Sequence, residues 1–440
     1  MSRSAAEAGW RISQYNIQAP VPGSEQMIIA NLFRRTCGVY TPAELFLLDE
    51  LEDLDEGHPI LLRFAKRGLI VNFDERAALE SLARISCSHG ETVTLCICPT
   101  MGCNFDCPYC FETHSAGSMD LKTRENVVRL AHQMVDEARA KHLEVVWFGG
   151  EPLLAPDIID DLSGQLIGLA AAHNIRYSSY LITNGYLLTQ PLADLLGRCH
   201  VEKAQITLDG IGEVHDAVRH LAGGGGTFDR ITRNLRELKL PFAVKIRHNV
   251  RAGNLGQVPV LKEYVETLSK ESGNQITCYC AVVTDNYASR DRGQDLQLLC
   301  GGEQEELLLP QDADVFSGKP GMYCAANRLY YVNIDSDGRL YKCMEEVDKP
   351  GHSFGSAASW DPADPISTAD HPENLIRFLN TALPNGDDVC RDCVWLPVCA
   401  GGCPNQRLFY QRKCIPYRDA PEKFALALYK RMQHKETKID

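Results

Sequence analysis

Between residues 92 and about 285, six short apolar runs alternate with amphipathic stretches of helical period, and no other feature narrows the fold as far. The runs are "TVTLCIC", "LEVVWF", "IRYSSYLI", "KAQITL", "FAVKIRHNV" and "ITCYCAVV"; between them lie helical stretches such as "RENVVRLAHQMVDEARA", "QPLADLLGRC", "FDRITRNLRELK" and "QVPVLKEYVETLSK". Such regular alternation predicts a parallel sheet joined by right-handed crossovers, six strands wide and so a partial barrel. In parallel α/β sheets, ligands sit beyond the carboxyl ends of the strands. The motifs that invite a chemical reading all fall there. Cys103, Cys107 and Cys110 follow the first run, Gly149 to Pro152 the second, Thr183 to Gly185 the third and Leu208 to Gly210 the fourth, while Arg247 and Asn249 close the fifth. Each alone reads as an ordinary turn. Five at one edge mark a site.

The flanks differ from this scaffold. Residues 11 to 90 place extended stretches such as "QMIIANLF" before helical ones such as "TPAELFLLDELEDL", where Thr41 can cap a helix begun by Pro42. This is a small α+β module. From about 286 onward periodicity fades while Cys, Gly, Pro and Asp rise, so ligands are expected to order that segment more than a large core does. With 440 residues, 44% of them hydrophobic, the chain can bury a core without disulfides. Its N-terminus lacks an apolar signal core, and no apolar run approaches the roughly 18 residues of a membrane span. The expected location is cytoplasmic, without a membrane partner, where the eighteen cysteines stay reduced and serve metal or redox chemistry. They cluster, with three at 103–110 and seven between 324 and 414. A net charge of −13 without a basic stripe argues against nucleic acid as a partner.

Three cysteines within eight residues can wrap a loop around a cubic cluster, leaving one iron of a [4Fe-4S] cube without a protein ligand. A structural zinc ion wants a fourth Cys or His, and His114, Cys96 and Cys98 are near enough in sequence to keep that alternative open. The spacing "CNFDCPYC", with "GGEP" on the next strand, resembles the radical S-adenosylmethionine (SAM) superfamily over residues 92 to about 285. The resemblance implies that Cys103, Cys107 and Cys110 ligate a [4Fe-4S] cluster whose open iron is chelated by S-adenosylmethionine. It places Tyr109 near the adenine, Gly149, Gly150 and Glu151 at the methionine amino group, and Asn184 and Arg247 near the ribose and carboxylate. It further implies a 5'-deoxyadenosyl radical that abstracts a substrate hydrogen, and a low-potential electron donor such as flavodoxin or ferredoxin.

Cys324, Gly338, Cys343, then Cys390, Cys393, Cys399, Cys403 and Cys414 resemble the SPASM domain in all seven cysteine positions. Two auxiliary [4Fe-4S] clusters are implied, three in all: Cys390, Cys393, Cys399 and Cys414 around one, Cys324, Cys343 and Cys403 on three irons of the other. The fully ligated pattern has an eighth cysteine where this chain has Gly318. Either Cys300 supplies that ligand or the iron is open to a substrate thiolate. The first 90 residues look like the leader-binding region of ribosomal-peptide maturases, against the plainer alternative of a packing domain.

The expected architecture is thus a peptide-recognition module at 1–90, a partial (β/α)6 TIM-like barrel at 91–285, a bridging segment at 286–323 and a SPASM iron-sulfur domain at 324–440. The expected function is a maturase that installs a Cys-to-carbon thioether in a ribosomally made precursor peptide. Carbon-carbon crosslinking, formylglycine formation and non-catalytic electron transfer or peptide binding are the alternatives. Asp209, at a strand mouth, is the candidate general base, and the run "LAGGGG" reads as a connection, lacking the Lys-Ser/Thr of a phosphate loop.

Overall fold

The computed structural model describes residues 4–88, 90–115, 117–282, 324–382, 387–410, 414–415 and 418–436. The described residues form two compact units, one from 4–88, 324 and 381–436, the other from 90–282 and 325–380.

The first unit opens with β1 (Arg11–Ile12), β2 (Asn16–Pro20), β3 (Met27–Asn31) and β4 (Thr36–Tyr40), followed by α1 (Pro42–Asp49), α2 (Pro59–Arg67), β5 (Ile70–Val71) and α3 (Glu75–Ser88). Strands β2, β3 and β4 form an antiparallel sheet, and β1 pairs with β5. Thr41 caps α1 as its sequence predicts, in a reciprocal box with Glu44, with Pro42 in the first turn. Helix α2 ends at Gly68 with φ +78°, where an added Cβ would sit 2.3 Å from Arg34 Cγ. Buried Asn31 ties the pieces together, donating to Ser13 Oγ (2.9 Å), Asn16 Oδ1 (2.9 Å) and the Gly68 carbonyl (2.7 Å). A closing helix, Pro421–Glu436, packs on this sheet from the other end of the chain. Its buried residues include Phe424, Ala425 and Leu428, and the Phe424 ring meets Trp395 edge-on at 5.1 Å.

The second unit carries the six expected strands: β6 (Thr92–Ile97), β7 (His142–Trp147), β8 (Arg176–Thr183), β9 (Val201–Thr207), β10 (Ala243–Val250) and β11 (Ile276–Val282). All are parallel and adjacent in chain order, which makes the core a partial barrel. The crossovers contain α4 (Leu121–Ala138), α5 (Pro156–Ala172), α6 (Gln190–Arg198), the short α7 (Glu213–Asp216), α8 (Phe228–Glu237) and α9 (Gln257–Ser272). Outward residues such as Leu95, Val145, Leu181, Ile206 and Ile246 share one core with Leu130, Leu162, Leu196, Leu235 and Leu261 of the helices. Beyond β6 the sheet continues through β12 (Tyr331–Ile334), parallel to it, and the antiparallel β13 (Arg339–Tyr341) and β14 (Gly355–Ser356). The turn between β12 and β13 uses Gly338 at φ +82°, with Asp335 Oδ1 accepting from Asp337 N (3.0 Å) and Arg339 N (2.9 Å).

Candidate active site

The cysteine loop leaves the carboxyl end of β6 and is pinned on both sides. Phe105 forms a β-bridge with Leu221; Asp106 N donates to His220 O (3.1 Å) and Ala222 N to Asn104 O (2.9 Å). The start of the "LAGGGG" run is therefore the backbone partner of the cysteine loop, more than the plain connection its composition suggested. Phe105, itself buried, stacks edge-on against Tyr186 at 5.9 Å under the Arg219 guanidinium at 5.6 Å.

A cavity of about 320 Å³ opens over the strand ends, lined among others by Cys103, Cys107, Tyr109, Cys110, Gly149, Gly150, Asn184 and Arg247. The full lining brings together residues from seven separated places in the chain. Burial pushes the thiols of Cys103 and Cys110 up to about 12 and raises that of Cys107, so a cation must displace their protons to bind. Backbone groups already favour the thiolate: Phe105 N donates to Cys103 Sγ at 3.4 Å, and Glu112 N to Cys110.

The glycines of "GGEP" have a stated reason. Gly149 has φ +107°, and a Cβ on Gly150 would lie 2.3 Å from the Gly102 carbonyl oxygen and 2.4 Å from that of Met101. Two loops thus cross in backbone contact beneath the cavity. Glu151 sits elsewhere than expected: it is fully buried, is not among the cavity-lining residues, and accepts from Thr183 Oγ1 (2.6 Å), Asn184 N (2.7 Å) and Leu153 N (3.0 Å). Its carboxylate holds the β8 loop in place. Asn184 itself lines the cavity and donates to Asn104 Oδ1 at 2.7 Å, while Arg247 donates from Nε to Asn249 Oδ1 at 2.8 Å.

Asp209 also lies behind the cavity wall. Its buried carboxylate accepts from the Tyr109 hydroxyl and from Asn249 N (3.2 Å). Burial raises its pKa, against the lowering effect of Arg219 and of the Tyr109 hydrogen bond. Tyr109 accepts in turn from Arg219 Nη1 (2.8 Å) and Asn249 Nδ2 (3.3 Å), and Arg251 lies over its ring at 5.4 Å. The aromatic position before the third cysteine is fixed by this network, and Asp209 is the acceptor that orients it.

Sequence reading missed Arg219, Gln205, Thr207, Phe148, Met344 and Glu345, all of which line the cavity. Glu112 lines it too; it is buried with Oε1 unpartnered, and burial pushes its carboxyl up to about 8. Arg219 follows the fourth strand's "LDG" by nine residues, and nothing local separates it from a surface arginine.

Among the described residues, the His, Cys, Asp and Glu group whose ligand atoms all lie within 4.8 Å of one another is Cys110, Glu112 and His114, with Cys110 Sγ 3.2 Å from His114 Nε2. Cys103 and Cys107 fall outside that reach. Ligands of one zinc ion sit about 4 Å apart around it, whereas a cubic cluster binds each thiolate at a different iron and spreads them. Three thiols lining one cavity are compatible with a cubic cluster, and the buried Glu112 Oε1 and Arg219 Nε have no hydrogen-bond partner among the described residues and suit polar groups of the kind S-adenosylmethionine carries.

In the first unit, Cys390, Cys393, Cys399 and Cys414 line a second, tight cavity with Trp395 and Leu396. Ala400, Gly401 and Gly402 all have positive φ, and the turn aims Gly401 N at the Cys399 sulfur while Gly402 N donates to the Cys399 carbonyl at 2.8 Å. Cys324 and Cys403 are exposed and Cys343 is half-buried; Cys300 and Gly318 lie outside the described residues. No described helix is long and apolar enough to cross a membrane.

Residues 97–245 match the family model for the Radical SAM superfamily. The chain is 24% identical over 339 residues to the Fe-coproporphyrin III synthase of Methanosarcina barkeri (strain Fusaro / DSM 804), covering 69% of this chain and 80% of that protein. It is 24% identical over 358 residues to a cysteine-type anaerobic sulfatase-maturating enzyme of Clostridium perfringens (strain ATCC 13124), covering 74% and 90%. Native anSMEcpe with bound AdoMet and Cp18Cys peptide superposes with a TM-score of 0.57 at 20% identity, over 78% of this chain and 99% of that one. Streptococcus suis SuiB bound to precursor peptide SuiA gives a TM-score of 0.50 at 16% identity, over 94% and 99%. These likenesses show a shared fold, and the Cys-rich C-terminal segment fits the SPASM pattern. A Radical SAM domain brings with it a [4Fe-4S] cluster and S-adenosylmethionine, and the geometry above accommodates both. Residues 97–245 form a Radical SAM domain, the enzymatic core of this chain.

Proposed function

We propose that this enzyme modifies a ribosomally made precursor peptide, joining a cysteine sulfur to a carbon. The observation that carries the reading is the three-thiol, glycine-floored cavity at the strand ends. Cys103, Cys107 and Cys110 would hold the cluster; Tyr109, Gly149, Gly150, Asn184 and Arg247 would position S-adenosylmethionine, with Glu151 acting through the Asn184 loop and Asp209 through Tyr109. When bound, these groups supply one-electron chemistry that removes a hydrogen atom from a substrate carbon. In the net reaction a C–H and an S–H bond break and a C–S bond forms. One hydrogen atom goes to the 5'-deoxyadenosyl group; the other leaves as a proton and an electron.

Cys390, Cys393, Cys399 and Cys414 share a cavity and would hold an auxiliary cluster, which would supply one-electron acceptor chemistry. Peptide as substrate is supported by the neighbours: anSMEcpe carries a bound Cp18Cys peptide and SuiB its precursor SuiA. In the N-terminal module, β4 is one edge of its sheet and would accept a leader peptide as an added strand.

The test is anaerobic co-expression with a short Cys-containing peptide encoded beside the gene, followed by intact mass and thiol alkylation. Loss of two hydrogens together with an alkylatable thiol is the expected result. Loss of two hydrogens with every thiol still alkylatable would favour carbon-carbon coupling or residue oxidation instead.

A further inference from the structure

The inner face of the barrel is unlike a packed one. Along β9 the outward residues Ala204 and Ile206 join the helix-facing core, so Gln205 and Thr207 face the opposite way, into the cavity they line. The same alternation turns Tyr180 of β8, Lys245 and Arg247 of β10, and Tyr279 of β11 inward. Closed barrels fill such positions with branched apolar side chains. Here a polar surface continues below the strand-end site, and polar groups withdrawn from bulk water need polar company.

Gln205 is the centre of that surface. Its Oε1 accepts from the Tyr279 hydroxyl at 2.7 Å and from the Tyr180 hydroxyl at 3.5 Å. A carboxamide has an acceptor end and a donor end. With the acceptor end held by phenols, the donor end is the one left, and Nε2 has no hydrogen-bond partner among the described residues. Gln205 lies two residues deeper than Thr207, about 7 Å down the strand at the usual rise. That is below the glycine-floored rim, on the side away from the cysteine loop.

We propose that Gln205 is a positioning residue for the peptide substrate, donating Nε2–H to a backbone carbonyl of the segment that enters the barrel. The inference rests on the peptide reading above. A neutral donor held by two phenols suits a neutral acceptor, and a carbonyl fixed at this depth sets which substrate carbon reaches the rim. The phenols are part of the device. Without Tyr279 the amide is free to turn its oxygen toward the substrate.

The experiment uses the full-length, cluster-reconstituted enzyme with any short Cys-containing peptide encoded beside the gene, comparing Gln205→Met, Gln205→Glu and Tyr279→Phe. Iron content and circular dichroism establish that each variant is folded. Gln205→Met should raise the peptide KM about 3- to 10-fold, the effect of one lost neutral hydrogen bond, without raising the KM for S-adenosylmethionine. It should also release more 5'-deoxyadenosine per modified peptide, because a mispositioned carbon is missed. Gln205→Glu should be worse, since it sets a carboxylate against a carbonyl, and Tyr279→Phe should fall between wild type and Gln205→Met. Wild-type peptide KM and product ratio in both Gln205 variants would overturn the proposal, as would equal rises in both KM values, which would make Gln205 a packing residue. If wild-type enzyme forms 5'-deoxyadenosine but leaves the peptide unmodified, the peptide reading itself fails and takes this inference with it.

Discussion

Gly150 and Gly168 isolate what a single methyl group does in two settings. At Gly150 the new Cβ would meet two backbone carbonyls of the cysteine loop at 2.3 and 2.4 Å, and neither can swing aside as a side-chain tip would. Gly150→Ala should cost about 1–3 kcal/mol of stability and, by moving Met101 and Gly102, displace Cys103. Iron bound after anaerobic reconstitution should fall together with Tm. Gly168 lies exposed within α5 with nothing within 4 Å of an added Cβ, so Gly168→Ala should instead stabilise by about 0.5–1 kcal/mol. A drop in Tm at 168, or full iron loading with unchanged Tm at 150, would refute this account of the glycines. Glu151 belongs to the same scale. Replacing it by alanine strands the Thr183 hydroxyl, Asn184 N and Leu153 N in a buried site. The expected cost is at least about 2–3 kcal/mol, and S-adenosylmethionine binding, measured by equilibrium dialysis, should weaken with it.

Elements at the β9 and β10 strand ends contain two histidines that fold uncharged. His215 Nδ1 accepts from Asp209 N (3.1 Å), so its proton sits on Nε2, facing Thr227 Oγ1 at 3.0 Å. Burial holds its pKa well below the usual range, and burial brings that of His248, on the helix-facing side of β10, down to about 4 from an ordinary 6.5. Between pH 6.5 and 4 the unfolded chain holds a proton at residue 248 that the folded chain refuses. Stability therefore falls as pH drops through that window, by up to about 3 kcal/mol from His248. Replacing His248 by leucine removes the titration. Urea midpoints at pH 7 and pH 4.5 should show the variant gaining on wild type as the pH falls, and a difference independent of pH would refute the assignment. The same strands show what the sequence made legible. Barrel strands announce themselves because one face packs on helices and the runs are long enough to show it. Helix α5 is less legible, since Ser163, Gly164 and Gly168 lower its helix propensity although its buried positions repeat at helical spacing. β12, only "YVNI", joins β6 through backbone pairing that no local pattern foretells. Cysteines declare themselves by spacing, whereas Arg219, Gln205 and Glu345 acquire meaning only where distant strands and loops converge.

At the scale of the molecule, the first unit is assembled from both ends of the chain. Residues 4–88 supply the sheet and 381–436 supply the four-thiol cavity and the closing helix. Phe424, Ala425 and Leu428 are buried in that helix, which packs on β2, β3 and β4, and Trp395 connects it to the thiol cavity through its contact with Phe424. A chain whose N-terminal module were an independent appendage would lose only peptide recognition when cut before β6. Here the cut removes the surface on which the closing helix rests, and burying a large apolar side chain such as Phe424 contributes about 1.5–3 kcal/mol. Deleting residues 1–88 should therefore disturb the C-terminal lobe. After reconstitution the truncated enzyme should lose the roughly four irons of the cluster proposed for Cys390, Cys393, Cys399 and Cys414 while keeping those proposed for Cys103, Cys107 and Cys110, whose loop belongs to the other unit. Full-length Cys399→Ala is the matched control, lacking the same irons with the sheet intact. If the truncated enzyme bound as much iron as wild type, the module would be a separable domain, and its proposed role would narrow to holding the leader.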